Sequence, residues 1–237
     1  MIDLPFDTLY AGAPAPLGAT GAVSAIVKTP APPPWRIAAE GLVGDAQANR
    51  RHHGGAEKAL HHYPREHYAA WIAEDASLAA TLGETLAAPA AFGENIATLG
   101  ATEQTVCVGD VFTLGAARLQ VSQGRQPCLT LNLRFGRRDM AARVQETGRT
   151  GWYYRVLEAG EARPGDRLRL VERAQPDWPL ARLTALLYER TRAFDELAAM
   201  AELPELAESW RSLARKRVET RKVESWAQRL GTSPRAP

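Results

Sequence analysis

Residues 106–128 read VCVGDVFTLGAARLQVSQGRQPC, two short apolar runs with turn residues between and within them. Gly109, Asp110 and Gly115 are typical of tight turns. We therefore predict strands over residues 106–114 and 118–122, and further strands over residues 22–28, 152–157 and 167–171. Many short strands with few helices favour a barrel or a sandwich over a doubly wound sheet.

Two helices are expected to interrupt the strands. One is predicted to begin at Pro64, because proline suits the first helical position, and to end near Glu74. The other is predicted over residues 139–147, ending before Gly148. The sequence therefore indicates a mainly β fold with a few helices.

The residue pattern of the chain changes after residue 175, from short strands with turns to a helical pattern. Residues 179–230 contain one interior proline, and apolar residues recur there at helical spacing, as at Leu183, Leu186 and Leu187. We predict about three helices in this part. The chain is thus expected to divide into a β domain over residues 1–175 and a small α-helical domain over residues 176–237.

Composition limits the class of protein. The chain has 237 residues, 45% of them hydrophobic, so it can bury a core without disulfide or metal staples. Its net charge of +2 does not favour nucleic acid as a partner. The longest uncharged stretch, residues 8–27, is interrupted by glycine and proline, which argues against a membrane span. Two cysteines without a CxxC pair favour a reducing compartment, and we expect a cytoplasmic protein.

All five histidines lie between His52 and His67. Within this cluster, Gly54 and Gly55 indicate a tight loop whose backbone N–H groups can meet an anion, or else a turn with solvated basic residues. A zinc site is not supported, because HExxH is absent and no cysteine lies nearby to complete a ligand set.

The two cysteines differ in their surroundings. Cys128 follows a predicted strand, and Arg125 precedes it by three residues. A guanidinium group nearby favours the thiolate, which is the nucleophilic and metal-binding form. From these residues alone, a buried structural thiol is an equal alternative for Cys128. Cys107 lies inside a predicted strand and is expected to be core.

Five motifs follow one another in a fixed order: HHGGAEKALHHYPREHY (52–68), FGENIATLG (92–100), VCVGDVFTLG (106–115), VSQGRQPC (121–128) and TGWYYRVLEAGEARPGD (150–166). This set resembles the MOSC domain family, the molybdenum cofactor sulfurase C-terminal domains, and the resemblance covers about residues 22–170. The resemblance implies a MOSC-type β-barrel. The tail after Trp178 is similar to the three-helix extension of a bacterial branch linked to resistance to 6-N-hydroxylaminopurine.

The resemblance also implies site residues. Cys128 matches the family's cysteine, which would supply a thiolate to molybdenum in a pyranopterin cofactor, a soft donor for a redox-active metal. The family's HGG motif matches His53, Gly54 and Gly55. Other residues in or near matched motifs would hold the cofactor's phosphate and pterin: Lys58, Glu94, Asn95, Arg125, Asn132 and Arg155. The family usually has proline where this chain has Gly124, so the loop before Arg125 is expected to be less rigid.

The implied activity is reduction of an N-hydroxylated base, such as 6-N-hydroxylaminopurine, to the parent amine. Two cysteines cannot hold a ferredoxin-type cluster, so the electrons would come from a separate reductase, a flavoprotein. Two alternatives are a carrier of molybdenum cofactor or sulfur, with a persulfide on Cys128, and a pyridoxal phosphate protein with Lys58 as the Schiff base.

A third alternative is a binding module. Residues 211–229 contain seven basic and two acidic residues, with Trp210 and Trp226 near the two ends. Such a segment suits nucleic acid or an acidic redox partner. It equally suits a solvated face whose tryptophans pack into the helical bundle.

Overall fold

The structure is a computed structural model that describes residues 2–48, 54–75, 77–78 and 90–232. It is mainly β with a helical C-terminal part, and this confirms the predicted fold class. The strands within the described ranges are β1 (Asp3–Pro5), β2 (Tyr10–Ala11), β3 (Ala15–Pro16), β4 (Val23–Ser24), β5 (Thr29–Pro30), β6 (Trp35–Ala38), β7 (Gly41–Leu42), β8 (Leu60–Pro64), β9 (Ile96–Thr98), β10 (Val111–Leu114), β11 (Ala117–Gly124), β12 (Trp152–Glu158), β13 (Gly160–Ala162) and β14 (Arg167–Glu172).

The α-helices within the described ranges number seven. They are α1 (Glu66–Glu74), α2 (Leu129–Phe135), α3 (Met140–Thr147), α4 (Leu180–Tyr188), α5 (Phe194–Ala201), α6 (Glu208–Thr220) and α7 (Ala227–Leu230). Helices α4 to α6 are the predicted C-terminal helices, and α7 is a single further turn. Among the described residues, no helix is both long and apolar enough to span a bilayer.

Seven strands form a mixed sheet that closes into a nearly complete barrel, in the order β1-β14-β10-β11-β12-β8-β9. Every pairing in it is antiparallel except that of β8 with β9. Strand β11 shows the expected period of two, because Ala117, Leu119 and Val121 are buried and face the core. A smaller sheet of β13, β6 and β7 accompanies the barrel.

Two strand predictions were too long. Of residues 22–28, only Val23–Ser24 pairs in a ladder, because the Ser24 hydroxyl accepts a hydrogen bond from the Ile26 amide (3.2 Å) and turns the chain. Of residues 106–114, only Val111–Leu114 is strand. There the Asp110 carboxylate accepts a hydrogen bond from the Cys107 amide at 2.9 Å, which holds the preceding residues in a turn.

The first helix begins later than predicted. Pro64 ends β8, where it pairs with Thr98 of β9, and α1 starts at Glu66. The strand β8 was not predicted, because its two polar residues, His61 and His62, hide a segment that is buried along its whole length. Helix α2 was also missed, since it has only seven residues.

One hydrophobic core joins the barrel to the C-terminal helices. Inward residues of the barrel, among them Phe112 and Leu119, belong to the same buried cluster as Leu183 of α4, Met200 of α5 and Trp210 of α6. A second core lies beneath α1, α2 and α3 and is built around Tyr63, Trp71 and Phe92. The boundary predicted at residue 175 therefore crosses a continuous core, and it stays a prediction.

Both tryptophans near the ends of the basic segment 211–229 pack into the helical part, and so does one of its arginines. Trp210 is buried, and Trp226 packs against Tyr188 with ring centroids 5.4 Å apart. Arg217 is fully buried. It donates hydrogen bonds to the carbonyl oxygens of Leu186 (3.3 Å) and Leu187 (3.0 Å), at the end of α4, and pairs with Glu224 at 2.6 Å. Its charge thus caps a helix and is not offered to solvent.

We predict that Arg217→Met lowers the free energy of unfolding by about 3 kcal/mol, because it leaves buried carbonyl groups without donors. Arg215→Met is the matched control, since Arg215 lies on the same helix and pairs with the exposed Glu208. That control should cost less than about 1 kcal/mol. Urea unfolding followed by tryptophan fluorescence measures both values. Equal losses in the two variants would contradict the assignment.

Candidate functional site

A cavity of about 240 Å³ lies where β8, β11 and β12 meet the short helical turn Ala56–Lys58. It contains four of the residues singled out from the sequence: Lys58, Asn95, Arg125 and Cys128. It also contains four ionisable residues that sequence reasoning missed: Lys28, Asp45, His61 and Tyr153.

Cys128 is held between a strand and a helix. Strand β11 ends at Gly124, and the Arg125 amide then donates to the Gly151 carbonyl oxygen at 3.0 Å, beside the start of β12. Cys128 itself has an extended backbone and immediately precedes α2, whose first bond runs from the Leu131 amide to the Cys128 carbonyl oxygen (2.9 Å). The side chain is half-buried and faces the cavity.

Ser122 joins the segments that surround the cavity. The β11–β12 register shifts between Val121 and Gln123, so Ser122 sits in a bulge. Its hydroxyl donates to the Glu57 carbonyl oxygen at 2.6 Å and lies 3.1 Å from that of Tyr153. Because Ser122 is fully buried, these contacts fix the Lys58 turn against the two strands that carry Arg125 and Tyr153.

The cavity carries an excess of positive charge, since three cations and one carboxylate line it within the described part of the chain. Burial lowers the pKa of Lys58, and the neighbouring Cys128 thiolate opposes that effect. Arg125 is buried, and its Nη1 has no hydrogen-bond partner among the described residues. An unpaired buried guanidinium nitrogen of this kind suits an anionic ligand.

One wall of the cavity is a fixed polar network. Lys28 and Asp45 form a nearly buried ion pair. The Asn95 side chain donates to Asp45 Oδ2 (2.9 Å) and to the Tyr10 carbonyl oxygen (2.9 Å), and its Oδ1 accepts from the His61 amide (3.0 Å). Burial lowers the pKa of Lys28, while the Asp45 charge opposes this. This wall is rigid, and its charges largely cancel.

Two buried histidines lie at the cavity, His61 in its lining and His62 next to it in β8. Burial, together with the charge of Arg125, holds the pKa of His61 well below its usual value, and its Nε2 lies 3.4 Å from the Thr150 carbonyl oxygen. Burial lowers the pKa of His62 to about 3. His62 lies between the Tyr154 hydroxyl (3.0 Å) and the Thr98 hydroxyl (2.9 Å). Within the ranges that the structure covers, no group of three metal-ligating side chains is present.

Glu94, Asn132 and Arg155, which were expected at the site, do not line the cavity. Glu94 accepts hydrogen bonds from Tyr68 and from the amides of Ala90 (2.8 Å) and Phe92 (3.0 Å), and burial raises its pKa. Its carboxylate organises the loop before β9. The next residue of the motif, Asn95, lines the cavity instead.

Asn132 and Arg155 are likewise engaged elsewhere. Asn132 donates to the carbonyl oxygens of Arg138 and Leu230, both at 2.8 Å. Arg155 bonds Glu57, Gln120 and the Glu205 carbonyl oxygen. Both side chains tie elements together and have no contact with the cavity, because their donors are used by these protein groups.

The HGG motif is only partly visible. His53 lies outside the described residues. Gly54 and Gly55 precede the turn Ala56–Lys58, and Gly55 has a φ of 94°, a left-handed conformation that favours glycine. Neither glycine lines the cavity. Within the described chain, these glycines set the direction of the backbone that leads into the turn carrying Lys58.

Gly124 is explained by packing. A Cβ built there would lie 3.1 Å from the indole of Trp210 and 3.6 Å from the hydroxyl of Thr184. Helix α6 thus packs directly on the backbone that leads to Arg125. The expected loss of rigidity at this position is offset by contact with the helical part.

Cys107 is buried, and its pKa is raised by that burial. Its sulfur lies 3.5 Å from the Pro176 carbonyl oxygen, outside the cavity. The two cysteines therefore have different environments, as the sequence suggested.

One sequence signal points to a missed residue. The chain has only four lysines against 25 arginines, and two of the four, Lys28 and Lys58, line the cavity. Lys28 also ends an otherwise apolar stretch, which is unusual for a solvated residue. Asp45, His61 and Tyr153 carried no comparable signal, because their roles depend on pairings between distant segments.

Comparison with known proteins agrees with this architecture. Residues 49–169 match the family model described as the MOSC domain, and residues 178–221 match the model described as the YiiM-like, 3-alpha helix domain. Protein YiiM of Escherichia coli K12 is 38% identical over 210 residues, covering 89% of this chain and 91% of that protein. The crystal structure of E. coli YiiM superposes with a TM-score of 0.79 at 32% identity, covering 97% and 99% of the two chains.

Two further relatives are similar over most of this chain. Protein YflK of Bacillus subtilis 168, described as uncharacterized, is 40% identical over 190 residues, 79% of this chain and 81% of its own length. A protein of Gibberella moniliformis named "Reductase" is 36% identical over 182 residues, which is 76% of this chain but 31% of that protein.

We predict that Ser122→Ala lowers the free energy of unfolding by about 2 kcal/mol, because buried carbonyl oxygens lose their donor. The matched control is Ser212→Ala, whose exposed hydroxyl bonds only Glu208 on its own helix. Its cost should stay below about 0.5 kcal/mol. Chemical unfolding of both variants checks the difference, and a Ser122→Ala protein as stable as the control would contradict the role given to Ser122.

His62 should also make stability depend on pH. The unfolded chain binds a proton at His62 below about pH 6.5, whereas the folded protein does so only near pH 3, so stability falls as pH decreases through that window. We expect His62→Gln to reduce the slope of unfolding free energy against pH by about 1.4 kcal/mol per pH unit between pH 4 and 6. Urea unfolding across this range measures the slope, and parallel curves for the two proteins would refute the prediction.

Proposed function

The chain belongs to the MOSC domain family and carries a YiiM-like three-helix domain, and from this premise we propose that it binds a molybdenum cofactor and reduces N-hydroxylated compounds to amines. The family is associated with the molybdenum cofactor. A relative named "Reductase" supports the reaction class. The substrate we propose is an N-hydroxylated base such as 6-N-hydroxylaminopurine, which would be converted to adenine.

The observation that carries the proposal is the pairing of Cys128 with two cations in one cavity. Cys128 offers a soft sulfur donor, which suits molybdenum. Arg125 lines the same cavity and has one buried nitrogen, Nη1, without a hydrogen-bond partner among the described residues, and Lys58 adds an ammonium group to the cavity. The donor set therefore fits a ligand that combines a soft metal with an anionic phosphate.

In this proposal each cavity residue has a distinct role. Cys128 holds the metal through its sulfur, while Arg125 and Lys58 bind the anionic part of the cofactor. The cofactor, when bound, supplies two-electron oxygen-transfer chemistry. Asn95, fixed by Asp45 and Tyr10, presents a rigid polar wall against which a planar base can be oriented. Neutral His61 keeps further positive charge out of the cavity.

Protons and electrons must both be supplied. Conversion of a hydroxylamine to an amine and water consumes two electrons and two protons. Lys58 Nζ, placed beside Cys128, holds a proton at the site where the reaction uses one. With two cysteines in the chain, the electrons are proposed to come from a separate flavoprotein reductase.

We expect Cys128→Ala to abolish molybdenum retention, whereas Cys107→Ala retains the metal at the level of the natural sequence. The reason is that only the Cys128 sulfur faces the cavity. Metal and pterin analysis of the three proteins, reconstituted with cofactor under identical conditions, gives the measurement. Equal molybdenum content in the parent, Cys128→Ala and Cys107→Ala proteins would show that Cys128 is not a metal ligand.

Turnover separates an enzyme from a carrier. Protein reconstituted with cofactor should reduce 6-N-hydroxylaminopurine when a chemical electron donor is supplied. Full molybdenum occupancy without reduction of this or a second N-hydroxylated substrate would contradict the enzyme and leave a cofactor or sulfur carrier. An aldimine absorbance band on adding pyridoxal phosphate, absent in Lys58→Met, would instead support the pyridoxal phosphate alternative.

A further inference from the structure

We propose that the segment 222–232 clamps the loop of Cys128, and that its Arg229 is a positioning residue for the Cys128 sulfur. The segment follows α6 and lies beyond both family matches, which end at residues 169 and 221. The inference rests on the proposed role of Cys128 as the reactive sulfur. It concerns residues to which neither matched model extends.

The segment is packed onto the helix that follows Cys128. Leu230 is buried in the second core with Leu131 and Phe135 of α2. Its carbonyl oxygen accepts a hydrogen bond from Asn132 Nδ2 at 2.8 Å. A Cβ placed on Gly231 would meet the Leu129 side chain at 2.4 Å, so the backbone itself touches α2 there. The segment is thus held against the loop by both apolar and polar contacts.

Arg229 reaches from this segment to the residue before Cys128. Its Nη1 donates to the Pro127 carbonyl oxygen, and its Nη2 donates to Gln145 Oε1 of α3 at 2.5 Å. The guanidinium lies over the ring of Trp226 at 4.7 Å from the centroid. These contacts fix the planar group in one orientation next to the cysteine loop.

Within the part of the chain that the structure describes, no ion pair cancels the charge of Arg229. Among the described residues its donors meet only neutral oxygens, and its Nε is buried without a partner. The charged and titratable groups that face it are Cys128, Arg125, Glu224 and Tyr188. Burial lowers its pKa, and the negative charge of the Cys128 thiolate opposes that effect. Arg229 therefore adds positive potential at the Cys128 sulfur.

The test compares two alkylating reagents of different charge on the full chain. The protein is produced in a host that cannot make the molybdenum cofactor, and Cys107→Ala removes the second thiol. Rates with anionic iodoacetate and neutral iodoacetamide are measured at one pH for the parent and for Arg229→Met, Arg229→Lys and Arg221→Met. Arg221 is the matched control, because it lies near the same segment and stacks on Phe194, 4.3 Å from the ring centroid.

We expect Arg229→Met to lower the ratio of iodoacetate to iodoacetamide rates by about threefold at low ionic strength, since one nearby cation is lost. Arg229→Lys should restore most of the ratio, and Arg221→Met should leave it unchanged. A loosened loop without an electrostatic effect would change both rates together. The ratio separates that purely structural role from the positioning role.

Three results would overturn the inference: an unchanged ratio in Arg229→Met, an equal change in Arg221→Met, or a parent whose Cys128 reacts with neither reagent. If Arg229→Met does not fold, the Arg229→Lys protein decides through hydrogen exchange of the amides in residues 129–132. If the lysine in Arg229→Lys keeps the positive charge and the contact with the Pro127 carbonyl oxygen, these amides should exchange as slowly as in the parent protein. All rates are measured without cofactor, so failure here is distinct from failure of molybdenum binding.

Discussion

The buried hydroxyl of Ser122 is the contact on which the cavity depends. A bulge in β11 frees this residue from regular pairing, and its side chain then reaches the backbone of two other segments. Its own carbonyl oxygen accepts a hydrogen bond from the Ala207 amide (2.9 Å), just before α6. One residue therefore connects the lysine turn, the neighbouring strand and the helical part. Cys128 follows six residues later, so the contacts of Ser122 also help to fix the position of Cys128.

Local charge at the cavity contrasts with the near-neutral chain. Many arginines are neutralised in pairs or used on carbonyl groups, as Arg155 is with Glu57 and Arg217 with Glu224. Lys58 and Arg125 meet in the cavity with a single carboxylate nearby, and that carboxylate is already paired with Lys28. The resulting field favours an anion and a thiolate in the same place. Net charge alone conceals this, because it sums over side chains that have different partners.

Local signals predicted much of the fold and less of the site. Turn residues in the neighbouring sequence predicted the glycine-bounded strands β10 and β12. Helical periodicity predicted α4 to α6, and the residues next to each cysteine predicted the contrast between Cys128 and Cys107. The strand β8 was missed because its buried histidines look polar until their partners, supplied by residues 98, 150 and 154, are known. Glu94 and Asn95 are adjacent in one motif, yet only Asn95 lines the cavity. A motif identifies a segment, whereas long-range pairing decides which of its side chains face the ligand.

The single core shared by the barrel and helices α4 to α6 has a consequence for how the molecule melts. A chain cut after β14 would lose the helices that share this core and would expose apolar surface that they bury, a patch prone to association. Cooperative two-state denaturation follows from such mutual burial, because neither part retains a complete interior once the other has unravelled. The barrel and the C-terminal helices thus contribute to one shared interior, so each part depends on the other for complete burial of its apolar residues.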